Sequence, residues 1–221
     1  MGPEAWHVEI SRGSAADFHA RALPDVIEPS LWWFDVTSSA LVLGSSQRTE
    51  QIDRAACERA GTEIVRRRSG GGAVLLQPGD AMWVDVLLPA ADPRWINDVG
   101  QSACWLGDVW QKALRSLDVE GTTVHRSAMV RTTWSDHVCF AGIGGGEVVL
   151  DGRKVVGISQ RRTRAGARFQ CALYRHWRPE AHVPLFVSPG PTVADLDDLA
   201  VEVTTPPEAV MSAFETALTA S

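Results

Sequence analysis

The segment Arg66-Arg67-Arg68-Ser69-Gly70-Gly71-Gly72-Ala73-Val74 constrains this chain more than any other. It follows Thr62-Glu63-Ile64-Val65, a run that reads as a strand entering a loop. Three consecutive glycines permit backbone torsions and close approaches that side chains forbid. A strand entering such a loop can aim several N–H groups at an anion or a substrate carboxylate. The flanking arginines supply fixed positive charge and forked donors. No Gly-Lys-Ser/Thr follows, so this is not a P-loop, and the spacing is not the GxGxxG of dinucleotide sites. Taken alone, the same residues also suit a plain turn with solvated arginines.

The surrounding sequence predicts short strands and a few helices. Ala40-Leu41-Val42-Leu43-Gly44 reads as a buried strand, and Asp53 to Ala60 as a short helix stopped by Gly61. Ala73–Leu76 and Met82–Leu88 read as strands, with Gln77-Pro78-Gly79-Asp80 as the turn between them. Asn97 to Leu117 carries Leu106, Val109, Trp110, Ala113, Leu114 and Leu117 at helical spacing. Glu147–Leu150, Asp151-Gly152 and Arg153–Gly157 read as a hairpin with an Asp-Gly turn. Thr205 as N-cap and Pro206 in the first turn start a C-terminal helix with Val210, Met211, Phe214 and Leu218 on its apolar face. Hairpins mixed with few helices predict an α+β fold, a mostly antiparallel sheet with helices packed on it. The 221 residues suit one domain with a sizeable core.

Charge and cysteine usage narrow the function classes. A net charge of −6 argues against nucleic-acid binding by overall charge. No run approaches the ~20 apolar residues of a membrane span, and the N-terminal Met1-Gly2-Pro3-Glu4-Ala5-Trp6 lacks a leader pattern. A cytoplasmic location is the expectation. Cys57, Cys104, Cys139 and Cys171 stand far apart, with no CxxC or Cys/His cluster, so no metal site is indicated. The chain has nineteen arginines and two lysines, Lys112 and Lys154. A merely solvated cation in this background would be an arginine, which singles out Lys154 at the head of the apolar strand Val155-Val156-Gly157-Ile158.

Together, Arg67-Arg68-Ser69-Gly70-Gly71-Gly72-Ala73-Val74 and the later Gly152-Arg153-Lys154-Val155-Val156-Gly157 resemble the catalytic domain of the lipoate–protein ligase A family. That group includes octanoyl and lipoyl transferases and, more distantly, biotin–protein ligases. Ala40-Leu41-Val42-Leu43-Gly44-Ser45-Ser46-Gln47 is similar to its first conserved stretch, and the resemblance runs from about Leu31 to Leu185. It implies a single catalytic domain over residues 1–221, without an accessory domain, built as a mixed, largely antiparallel sheet flanked by helices. The implied activity is attachment of lipoate or octanoate to a lysine of a lipoyl carrier domain, of the 2-oxoacid dehydrogenase or glycine-cleavage H-protein type.

In the ligases of this family ATP, with Mg2+, activates the carboxylate as an acyl-adenylate, and the carrier lysine attacks the mixed anhydride. The resemblance places Lys154 as the central cation beside the activated carboxylate. Arg67, Arg68, Ser69, Gly70, Gly71, Gly72 and Ala73 would form the substrate and nucleotide loop, with Glu147 and Gly157 flanking the lysine. Two departures bear on this. The Arg-Asn-Asp triplet common in ligases reads Gly145-Gly146-Glu147 within Ile143–Glu147, and the His-His-Gly strand reads Phe169-Gln170-Cys171.

The rival is the transferase branch, in which a cysteine takes the acyl group as a thioester and passes it to a lysine. Cys139-Phe140, with Glu147 eight residues later and Lys154 seven further on, resembles that branch, although glycines replace its Pro-Ser-x-Tyr. ATP-dependent ligation ranks first and Cys139-dependent transfer second. A non-catalytic partner of lipoyl groups or carrier domains is the alternative from another class. Arg161, Arg162, Arg164 and Arg168 read as a basic loop, either simply solvated or closing over the adenylate or steering an acidic carrier. Asp85, Asp136 and His137 read as structural polar residues, and Cys171 as a structural thiol.

Overall fold

A computed structural model of the chain describes residues 6–221. Residues 1–5 of the N-terminal stretch, where no leader pattern is found, lie outside the described residues. The first half comprises β1 (His7–Gly13), α1 (Ala15–Ala20), β2 (Ser30–Val36), β3 (Ala40–Leu43), α2 (Arg54–Arg59), β4 (Glu63–Arg66), β5 (Val74–Leu76) and β6 (Ala81–Pro89). The second comprises α3 (Cys104–Arg115), β7 (Thr123–Val124), β8 (Val148–Leu150), β9 (Arg153–Arg162), β10 (Gly166–Tyr174), α4 (Pro179–His182), α5 (Val193–Leu196) and α6 (Pro207–Thr219).

Seven strands form one sheet in the order β1-β2-β6-β10-β9-β8-β7, and three form a second in the order β4-β3-β5. In the large sheet β1 and β2 pair in parallel and every other pair is antiparallel. In the small sheet β3 runs parallel to β4 and antiparallel to β5. The architecture is α+β with a mixed, largely antiparallel sheet.

Both faces of the large sheet are covered, which is why β2 reads as the continuous apolar run Leu31-Trp32-Trp33-Phe34 instead of alternating. Leu31 and Trp33 join the core beneath α3 and α6, where the Trp33 ring meets Phe214 edge-on at 5.8 Å. Trp32, Phe34 and Trp83 face the other way, with Phe18 of α1 and with Val42, Val65 and Leu76 of the small sheet. Leu106, Val109, Trp110, Ala113 and Leu114 form the buried stripe of α3. Each large side chain there contributes about 1.5–3 kcal/mol of burial.

Three sequence-based expectations change. Helix α3 begins at Cys104, not Asn97. The Asp98 side chain accepts from Gly100 N at 2.8 Å, and this local bond competes with helix. Helix α6 begins at Pro207 with Pro206 in the cap position, and Thr205 lies outside it. Pro206 precedes a proline, which pushes it out of the helical region to ψ 138°. The Gln77–Asp80 turn stands between its two strands as expected, and it leads from the small sheet to the large one, because β5 and β6 do not pair with each other. Finally, Arg161 and Arg162 belong to β9 and Arg168 to β10, so the basic loop shrinks to residues 163–165. Arg168 is buried and ion-paired with Asp85, which confirms Asp85 as a structural residue.

Candidate active site

The lysine hairpin forms as its sequence predicts. Asp151 and Gly152 both take positive φ, 50° and 79°, matching the twist of the paired β8 and β9. Lys154 follows the turn but points inward and is 2% exposed. Its Nζ donates to Glu147 Oε1 at 2.9 Å and to the Cys139 carbonyl at 2.9 Å, and lies 2.8 Å from Glu147 Oε2. It also stands 5.2 Å from the Phe140 ring centre. Glu147 is equally enclosed, accepting from Gly144 N at 2.6 Å and from Ile158 N at 3.1 Å. A buried ion pair needs this completeness, because each desolvated charge must find partners.

The glycine loop is organised by Arg67, a buried guanidinium without a carboxylate partner among the described residues. It donates to the carbonyls of Val42 (3.0 Å), Gly70 (2.7 Å) and Gly72 (2.9 Å). Gly71 has φ 101°, and a Cβ there would stand 2.8 Å from Arg67 Nη2, so this position requires glycine. Ala73 then pairs with the segment carrying the cysteine: its N donates to His137 O at 2.8 Å and its carbonyl accepts from Cys139 N at 2.9 Å. This pairing sets half-buried Cys139 in a short 3-10 turn, Cys139–Ala141, with Sγ 4.0 Å from Arg67 Nη2. The structure thus brings Arg67, Gly71, Ala73, Cys139, Glu147 and Lys154 together. Arg68 stays exposed beside them.

A cleft between the two sheets opens at Cys139. It encloses about 440 Å³, its open mouth included. Val42, Val74 and Leu76 of the small sheet face Trp83, Gly157 and Ala172 of the large one across it. This is a shape for an apolar chain with a reactive group at its head. Cys139 and Arg67 line the cleft, whereas Lys154 lies behind it, in contact with its lining residues Cys139, Phe140 and Gly157. Burial pushes the thiols of Cys57 and Cys171 up from their ordinary values, leaving them inert.

One wall is polar, and sequence reasoning missed it. Buried Ser69 shares a hydrogen bond with Ser159 (Oγ–Oγ 2.9 Å) and donates to Gln170 Oε1 at 3.2 Å. Gln170 Nε2 in turn lies 3.4 Å from Nδ1 of His19, whose ring stacks on Trp83 at 4.4 Å. Burial, with Arg168 and Arg67 nearby, pushes His19 down to about 3, so its imidazole is neutral at physiological pH. No sequence spacing joins residues 151 positions apart, and no signal marked His19.

Where the resemblance puts the nucleotide, the residues present do not offer magnesium a free carboxylate oxygen. Both Glu147 oxygens are occupied by Lys154 and backbone N–H groups, leaving none for a divalent ion. Gly146 has φ 87° and packs so tightly on Ala103 that a Cβ would stand 2.5 Å from its backbone. The loop that replaces the Arg-Asn-Asp triplet therefore has no room for phosphate-binding side chains at that point. Among the described residues no three His, Cys, Asp or Glu side chains converge as metal ligands.

Residues 18–185 match the family described as the lipoyl protein ligase A/B catalytic domain, a stretch that contains every residue of this site. The chain belongs to that family. Among relatives of the lipoyl ligase A/B domain, it is 29% identical over 143 residues to an octanoyltransferase LipM of Exiguobacterium, covering 62% of this chain and 50% of that protein. The chain spans about half the length of the curated relatives it matches. Its fold is similar to a bi-partite lipoate protein ligase of Thermoplasma acidophilum, studied with its E2 lipoyl domain, at TM-score 0.72 and 14% identity over 100% of this chain and 84% of that one. A biotin protein ligase of Aquifex aeolicus follows at TM-score 0.51 and 10% identity, over 97% and 69%. No helix among the described residues is long and apolar enough to cross a membrane.

Proposed function

We propose that this chain transfers an octanoyl or lipoyl group to a lysine of a lipoyl carrier domain through a thioester on Cys139. The observation that carries this reading is the division of labour in the site. Cys139 Sγ faces the apolar cleft beside the unpaired cation Arg67, while Lys154 is held away from it by Glu147. The octanoyltransferase relatives support the same choice. The Cys139 sulfur attacks the carbonyl of a thioester donor. A C–S bond forms, the donor C–S bond breaks, and the thiol proton leaves on the donor sulfur. The carrier amine then attacks, the amide C–N bond forms, the C–S bond to Cys139 breaks, and one amine proton returns to the Cys139 sulfur. Negative charge on the carbonyl oxygen in both steps develops near Arg67, a preorganised donor in a water-poor site. Lys154 acts as a positioning residue, because its bond to the Cys139 carbonyl holds the turn that carries the thiol.

The test offers a lipoyl domain with either an octanoylated thioester donor or octanoate plus ATP. Transfer without ATP, lost in Cys139→Ala, is the expected result. Labelling that needs ATP and survives Cys139→Ala would return the chain to the ligase reading ranked first on sequence. No labelling from either source would leave a non-catalytic carrier-binding role.

A further inference from the structure

The polar wall of the cleft is a row of hydrogen bonds that runs in one direction, and Gln170 sets that direction. Its Oε1 accepts from the Ser69 hydroxyl, so its amide nitrogen faces His19 and donates to Nδ1. The Ser69 proton is taken by Gln170, which makes Ser159 the donor in the 2.9 Å contact between the two hydroxyls. Nδ1 of His19 accepts, so the neutral ring carries its proton on Nε2. Burial, with Arg168 and Arg67 nearby, keeps a second proton off this ring. Each donor in the row polarises the next, which strengthens the last one. That last donor, the Nε2–H of His19, has no partner among the described residues. Nor is it sealed in, unlike the unpartnered Nε2 of His182.

The register of β9 and β10 places this row relative to the thiol. Gly157 and Ala172 face each other, and the cysteine turn packs on Gly157 through Phe140. Ser159 and Gln170 are the next facing pair on the same side, about 7 Å further along the strands. His19 lines the cleft there, its ring held against Trp83. A chain bound to Cys139 that follows this face brings its middle and outer carbons to His19. Filling the cleft with plain hydrocarbon removes water from the Nε2–H and gives it no acceptor, which is unfavourable. We infer that His19 forms a selective subsite inside the cleft, which takes an acyl chain carrying an oxygen acceptor on its middle or outer carbons in preference to a plain hydrocarbon chain. This rests on the thioester reading of Cys139. The substrate class is a medium-chain oxoacyl or hydroxyacyl group. A second carboxylate on the chain does not suit the subsite, because one neutral donor does not offset the desolvation of a charge.

The experiment measures S-acylation of Cys139 by intact-protein mass in single turnover, with N-acetylcysteamine thioesters as donors. The acyl groups are octanoyl and its isomers with a ketone at the fifth, sixth or seventh carbon. The wild-type chain is expected to favour one ketone isomer over octanoyl by about three- to tenfold in the second-order rate constant, the scale of one neutral hydrogen bond. A cleft without a donor gives the opposite sign, because a ketone without a partner is costly to bury. In His19→Phe, which keeps a ring to stack on Trp83, the ratio falls to one or below, while the melting temperature, read in parallel, confirms folding. The wild-type series decides by itself if that variant does not fold. Octanoyl favoured over every ketone isomer in the wild type overturns the subsite, and so does a ketone preference that persists in folded His19→Phe. In both of those outcomes Cys139 is still acylated and the thioester reading stands. Absence of Cys139 acylation from every donor overturns the subsite together with that reading.

Discussion

At the scale of single residues, the contrast between Lys154 and Arg67 organises the site. Scarcity of lysine in an arginine-rich chain pointed to Lys154, and the structure places it where an ammonium fits and a guanidinium does not. Three donors on one compact head satisfy two Glu147 oxygens and one carbonyl. Lys154→Arg is therefore expected to lower acyl transfer nearly as far as Lys154→Ala, measured as carrier labelling. Lys154→Met leaves the Glu147 charge buried and should destabilise the chain by about 3–5 kcal/mol in urea unfolding. Adding Glu147→Gln removes that charge, so Lys154→Met/Glu147→Gln should regain much of the stability but not the transfer. Return of activity with stability would count against a positioning role. Arg67, by contrast, was visible in sequence only as one of three consecutive arginines. Nothing local distinguished it from Arg66, whose guanidinium donates to carbonyls of the 44–47 loop, or from exposed Arg68.

At the scale of elements, the lysine hairpin and the glycine loop were legible because each is built from neighbours in sequence. An Asp-Gly pair with positive φ at both positions closes its own hairpin. Strand β10 was legible only at Phe169-Gln170-Cys171, through the family resemblance. Its inner face carries Arg168 and Gln170, which disguise a central strand as a solvated loop. Arg168 is tolerated there because Asp85, opposite Gln170 on β6, accepts its guanidinium and Trp83 Nε1 donates to the same carboxylate at 2.8 Å. Asp85→Ala should consequently cost about 3–5 kcal/mol, read as a lowered urea midpoint, since it strands a buried cation. A cost below about 1 kcal/mol would mean that water reaches Arg168.

At the scale of the whole molecule, the cleft exists because two sheets meet. Leu76 comes from the small sheet and Trp83 from the large one, and both line it. Leu76→Trp is expected to shift donor preference from eight carbons towards four or six, compared as kcat/KM across a chain-length series. An unchanged preference would place the chain elsewhere. Acid stability is also a property of the assembled fold. Burial pushes His182 down to about 4, its Nδ1 lying 2.8 Å from the Arg178 carbonyl. The unfolded chain takes up a proton below about pH 6.5, while folded His182 stays neutral until about pH 4. Stability is therefore lost as pH falls through that window, by about 3 kcal/mol from this residue. His182→Gln should flatten that part of the stability–pH curve, and a slope identical to wild type would assign the loss to other groups.

By itself the sequence determined the α+β class, the two motifs and the candidate set Arg67, Cys139, Glu147 and Lys154. These depend on periodicity, turn chemistry and local spacing, all carried by neighbouring residues. Only the tertiary structure decided which of them faces the cleft. Lys154 turns away because Glu147 and the Cys139 carbonyl lie within its reach, and Cys139 faces the cleft because Ala73 pairs with its backbone. Burial and hydrogen-bond partners come from segments distant in the chain, and they set the thiol at the cleft and the amine behind it.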